Sequence, residues 1–170
     1  GHDTEAKDSL LAAVRLAEVG HDHPLRAAVL VELAAVVGYE LADIDSGLQW
    51  LSLADAALQA GWGGDRLRGY WYDIEGGIRF HRGEIELFKE SAMRGFETKG
   101  AAYPAGHPEI ALTLEGLGSA LVLTGEIEQG LKNREEGYAM RIAWYGGEDL
   151  PSGPTVLNDL GIAYQALGDY

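Results

Sequence analysis

The stretch LEGLGSALVLTGEI, residues 114–127, returns 43 residues later as LNDLGIAYQALGDY, residues 157–170. Leu114, Leu117, Gly118, Leu121 and Gly125 fall on Leu157, Leu160, Gly161, Tyr164 and Gly168. An offset of 42 places Gly83, Ile85, Gly95 and Phe96 on Gly125, Ile127, Gly137 and Tyr138. An offset of 41 places Leu30, Leu33, Val37 and Ile44 on Trp71, Ile74, Ile78 and Ile85, and Leu10, Ala13 and Gly20 on Leu51, Ala54 and Gly61. Self-similarity at such a period marks one supersecondary unit used repeatedly, each copy needing a neighbour to bury its apolar face.

The unit is helical. Apolar residues recur at i, i+3 and i+4 almost throughout, and no period-2 stretch competes, so the chain reads as all-α. Glycine-, proline- and aspartate-containing turns divide it into eight predicted helices, at about 4–19, 24–39, 43–60, 66–81, 84–99, 108–123, 126–144 and 154–167. Paired, these give hairpins over 24–60, 66–99 and 108–144, with half-repeats at 4–19 and 154–170. Residues 4–19 align with second helices and the chain stops where another second helix is due, which leads us to expect a piece of a longer array, with Gly1 and His2 as remnants of a tag.

A glycine within a helix costs roughly 1 kcal/mol relative to alanine, so those of 107–131 need a reason. Gly118, Gly130, Gly137 and Gly161 are expected where the two helices of a hairpin cross closely, and Gly125 and Gly168 where a helix ends in a left-handed residue. Gly116 fits neither role. In the unit around 66–99, alignment on Gly83 puts Glu75 and Arg79 at core positions. A shift of one residue, which turns Trp71, Ile74 and Ile78 inward, predicts a turn one residue longer, and the unit around 24–60 needs the same shift. Phe88 stands where the other units have a small residue.

The pattern W-x2-L-G-x2-Y, followed by a glycine, an aliphatic residue and small residues, resembles the tetratricopeptide repeat. Leu114, Leu117, Gly118, Leu121, Gly125, Ile127, Gly130 and Gly137 match it position by position, as do Leu157, Leu160, Gly161, Tyr164, Gly168 and Tyr170. The entry GHPEIALTL at 106–114 is similar to the longer-period variety of kinesin light chains and bacterial signalling proteins. The resemblance covers nearly the whole chain. It implies a right-handed α-solenoid of about eight helices, residues 1–170 forming a single repeat domain.

Composition narrows the chemistry. With 27 acids, 13 bases and a formal charge of −14, the chain repels phosphate backbones and anionic lipid, so neither nucleic acid nor membrane is an expected partner. No apolar run approaches the ~20 residues that span a bilayer, no signal peptide is apparent, and we expect a cytoplasmic protein. Cysteine is absent, which removes thiolate metal sites and thiol nucleophiles. His21 and His23 flank Asp22 without a third ligand at recognisable spacing, so the segment reads as a solvated turn and no metal is expected. His107, before Pro108, reads as a helix-start residue, and His81 as one near a helix end. GWGGD at 61–65 lacks the strand and lysine of a phosphate loop, and no other catalytic motif appears, so neither catalytic residues nor cofactors are expected.

What remains is the inner surface of a superhelix, which in the family is lined by first helices. The resemblance places Val31, Glu32 and Tyr39 there, with Tyr72, Asp73, Gly76, Arg79 and Phe80, then Glu115, Gly116, Ser119 and Val122, and finally Asn158, Asp159, Ile162 and Gln165. Asn158 stands where kinesin-light-chain-like repeats carry an asparagine that bonds a peptide backbone. The surface is acidic, with Arg79 its only base, which argues against a carboxylate clamp. It suits a basic or aromatic-containing segment of a partner protein, held by charge and ring contacts; the same aromatics could instead pack between neighbouring helices. Trp50, Trp62 and Trp144 fall outside the groove, at hairpin junctions. The expected function is a non-catalytic protein-interaction module. The alternatives are a regulatory or sensor region of a larger bacterial signalling protein, such as a Ser/Thr kinase or transcriptional regulator, and a self-associating scaffold or homo-oligomer.

Overall fold

The structure is a computed structural model, and it describes residues 2–147. Within them lie seven α-helices: α1 (His2–Val19), α2 (His23–Ala35), α3 (Ile44–Gln59), α4 (Gly64–His81), α5 (Ile85–Ala102), α6 (Pro108–Leu123) and α7 (Ile127–Tyr145). The count among the described residues is seven rather than about eight; the helix expected at 154–167 and the half-repeat 154–170 lie outside them. The described residues carry no strand. No described helix is long and apolar enough to cross a membrane.

Short polar residues start the helices. Leu25 N–H donates to the Asp22 carboxylate at the head of α2, and Ser46 N–H to that of Asp43 at the head of α3, each satisfying a first-turn amide that has no partner within the helix. Gly125, at φ +90°, ends α6 in the left-handed region that glycine enters without a Cβ penalty.

The chain divides into two compact units, residues 1–98 and 99–170. In the first, α2 packs on α1 and α3, and on α4. Leu30, Val31 and Ala34 from α2, Leu51, Ala54 and Leu58 from α3, and Trp71, Ile74 and Ile78 from α4 form one core cluster, with Val14 of α1 against it. The Trp71 indole N–H donates to the Leu51 carbonyl at 2.9 Å, so the largest core ring leaves no buried donor unpaired. Trp71, Ile74 and Ile78 are thus inward, as expected.

The predicted longer turns are absent, for two different reasons. After Ala35 the chain widens into a π-helical turn, Val36–Glu40, in which Leu41 N–H reaches back five residues to the Val36 carbonyl. The connection to α3, residues 41–43, has three residues and is not lengthened; what differs is the wider coil at the helix end. In the unit 66–99 there is no supernumerary residue: α4 and α5 are joined by Arg82, Gly83 and Glu84, as α6 and α7 are by Thr124, Gly125 and Glu126. Gly76 stands seven residues before Gly83, as Gly118 does before Gly125, and both occupy crossings. Alignment on Gly83 therefore holds, and Glu75 and Arg79 do face the partner helix. They are tolerated there because they are half-buried and paired.

In the second unit α6 lies antiparallel on α7. A Cβ on Gly118 would come within 2.5 Å of the Gly130 carbonyl oxygen, one on Gly130 within 2.6 Å of the Gly118 oxygen, and one on Gly137 within 2.7 Å of the Ala111 oxygen. Backbone meets backbone at each point, which lets Leu114, Leu117 and Leu121 bury against α7. Gly161 and Gly168 lie outside the described residues.

Candidate functional site

The residues expected to form a single groove fall into three groups: six in the first unit, two in the second, and Asn158 and Gln165 outside the described residues.

In the first unit α2 and α4 run side by side. Glu32 is exposed and accepts a hydrogen bond from the Tyr70 hydroxyl at 3.3 Å. About two turns further, the Tyr39 hydroxyl donates to the Ile74 carbonyl at 2.8 Å, and its ring lies across Gly77. Tyr39 is therefore a packing residue between α2 and α4. Burial, with the Asp73 carboxylate beside it, pushes its phenol well above the ordinary tyrosine range. Tyr72 is half-buried, edge-on to Trp71 at 5.1 Å, and Asp73 is half-buried. Phe80 is 43% exposed, with the rings of His81 and Phe88 5.7 and 5.5 Å away. Two residues assigned to the inner surface are not on it: Val31 is fully buried in the core, and Gly76 is buried at the α4–α5 crossing, where the Phe88 ring would meet a Cβ at 3.2 Å. At this crossing a small residue on α4 faces a large one on α5, which is how Phe88 fits.

Arg79 is committed. It pairs with Glu84 at 2.7 Å and with Glu75 at 3.7 Å, and Glu75 accepts from the buried Ser91 hydroxyl at 2.9 Å. With Leu87, Glu90 and Arg94 these residues line a polar cavity of ≈ 80 Å³ between α4 and α5. Opposite charges alternate around it, so it presents no uncompensated charge to a ligand.

In the second unit Glu115 is not a groove acid. Its two carboxylate oxygens accept from one Arg141 guanidinium nitrogen at 3.1 and 3.0 Å, with the side chains only 13% and 7% exposed. Burial pushes the Glu115 carboxyl up from its usual range, while Arg141 pulls against that shift. The pair cross-links α6 to α7 beside Gly137. Ser119 is half-buried and donates to the Glu115 carbonyl of its own helix at 3.1 Å. Gly116 is different: a Cβ there would meet nothing within 4 Å, so no packing contact requires the glycine.

Arg141 and Tyr70 were missed by the sequence reading. The helical period held the clue to Arg141, since an apolar-period position of α7 occupied by a base calls for an acid across the hairpin. Tyr70 gave no such signal. Of the three tryptophans expected at hairpin junctions, Trp62 stacks on His23 at 4.0 Å and Trp144 packs on His107 at 5.0 Å, whereas Trp50, within α3, packs against the core cluster of the first unit. His23 is accordingly the first residue of α2 and half-buried under Trp62, not part of a solvated turn; its Nδ1 is enclosed without a hydrogen-bond partner. His107 caps α6, as its place before Pro108 predicts, with Nδ1 accepting from Glu109 N–H at 3.1 Å. Compared with known proteins, the chain matches no family model and no curated sequence.

Proposed function

We propose that the chain is a tetratricopeptide-like helical repeat module, arranged as an α-solenoid in the cytoplasm, that binds a basic segment of a partner protein without catalysing a reaction. The supporting observation is a sorting of charges in the first unit. Arg26, Arg68, Arg79, Arg82 and Arg94 all lie in ion pairs with acids of their own unit, whereas Glu32 stays exposed beside Tyr70 on the α2–α4 face. An exposed carboxylate next to tyrosine rings receives a lysine or arginine by charge and by ring contact together.

The binding surface is accordingly narrower than the ten-residue groove: Glu32, Tyr72, Asp73 and Phe80 of the first unit carry it. Binding of peptides graded in charge tests the reading. Basic peptides should bind best and lose affinity as salt rises, and Glu32→Lys should weaken them about three- to tenfold, the size of an exposed charge contact. Preference for acidic peptides, or indifference to Glu32→Lys, overturns it. Glu115→Lys is no test of this surface, because it places a second cation against buried Arg141 and acts on folding.

A further inference from the structure

We propose that His107 is a proton-sensitive latch: it holds the start of α6 only while its ring is neutral. The first turn of α6 has four amide positions to satisfy. Pro108 has no N–H, and those of Ile110 and Ala111 go to the His107 carbonyl at 2.9 and 3.2 Å. The Glu109 amide is served by the His107 side chain, whose Nδ1 accepts it at 3.1 Å. A nitrogen that accepts this bond cannot also carry a proton. Protonation turns Nδ1 into a donor aimed at a donor, and it sets a cation at the positive end of a helix. Asparagine, serine or aspartate in this place would keep its acceptor; histidine is the side chain whose charge changes between about pH 5 and 8.

The ring is more than a cap. It lies 4.4 Å from the Tyr103 ring, just beyond α5, and 5.0 Å from that of Trp144 near the end of α7. From α5, Lys99 reaches the same corner; its side chain is 1% exposed and its ammonium sits 2.8 Å from the Glu109 carboxylate. Glu109 thus joins both interactions, with its amide on His107 and its carboxylate on Lys99. The charged and titratable groups of this corner are Lys99, Tyr103 and Glu109, and from α7 Arg141, which stands three residues before Trp144 and is bound to Glu115. The Glu109 carboxylate is already engaged by Lys99, and neither it nor the two neighbouring rings restores the lost acceptor. Proton uptake therefore releases the Glu109 amide and unseats the Trp144 contact together.

Hydrogen exchange of the Glu109 amide, corrected for its intrinsic pH dependence, tests this on the whole chain, with His107→Asn as the non-titrating cap. Between about pH 8 and pH 5.5, the wild-type protection factor should fall severalfold and that of His107→Asn should not change. Equal behaviour of the two proteins overturns the proposal. Should the variant fold poorly, the wild type suffices: the midpoint for protonation of the His107 ring, read by nitrogen NMR, must coincide with the midpoint for loss of the Glu109 amide hydrogen bond. Separate midpoints refute the latch.

Discussion

Gly118 and Gly116 sit two residues apart on α6 and have opposite environments. A methyl group on Gly118 would enter the Gly130 carbonyl oxygen, which is backbone and cannot turn aside. Gly118→Ala should therefore destabilise the chain by about 1–3 kcal/mol, as overpacking does. A methyl on Gly116 meets open space, and Gly116→Ala should stabilise by about 0.5–1 kcal/mol through helix propensity and a less free unfolded chain. Denaturant midpoints for the two variants should move in opposite directions. The repeat pattern alone identified Gly118 as a crossing and left Gly116 without a role, because equivalent positions across units share packing neighbours. What no pattern could supply was the identity of those neighbours: Glu115, three residues from one glycine and one from the other, turned out to face Arg141 across the hairpin and not solvent.

At the scale of the element, helix positions were legible to within a few residues because apolar period and turn chemistry agree. The π-helical turn was not legible. Nothing in VVGYE distinguishes a five-residue turn from an α-helical one; the widening belongs to the packing, where Gly38 approaches Gly47 and Ile78. Tyr39 belongs to this turn and is held by a hydroxyl bond to α4, which makes it the place to test the packing. Tyr39→Phe should cost about 1 kcal/mol near neutral pH, the net worth of one hydrogen bond. The pH dependence has a definite sign. The folded phenol titrates above its unfolded value, so its contribution is complete below about pH 10 and is lost as the pH rises further. Wild type should lose stability on alkaline titration, whereas Tyr39→Phe, lacking the group, should lose less; urea midpoints at neutral and alkaline pH measure both. The α4–α5 seam was misread for a related reason. Glu75 and Arg79 look impossible at core positions one residue at a time, and only as a set with Ser91 and Glu84 do they satisfy one another.

For the whole molecule, charge is the property most fully legible in the sequence, and it carries the functional proposal. An excess of 27 acids over 13 bases leaves repulsion that internal pairing cannot neutralise. Added salt shortens the screening length from about 30 Å at 0.01 M to about 8 Å at 0.15 M, which weakens this repulsion more than it weakens the close, partly buried pairs. The thermal midpoint should accordingly rise by a few degrees over that range; a fall would mean that the ion pairs dominate. The surface that receives the partner was legible only in part. Helical period assigned residues to a face, but whether a side chain on that face is available depends on what lies opposite, and for Glu115, Arg79 and Tyr39 something does.

The π-helical turn at Val36–Glu40 bears on how such a chain tolerates change in length. A residue inserted into a connecting loop shifts nothing but the loop, whereas one inserted into an α-helix rotates every side chain beyond it by about 100°. The π-helical coil takes up about one residue more per turn than an α-helix does, and the core faces of α2 and α3 on either side of it both point inward. Deleting one residue from this coil should give an ordinary helix with the same core. A chain built this way can change length inside a helix without turning its core face outward.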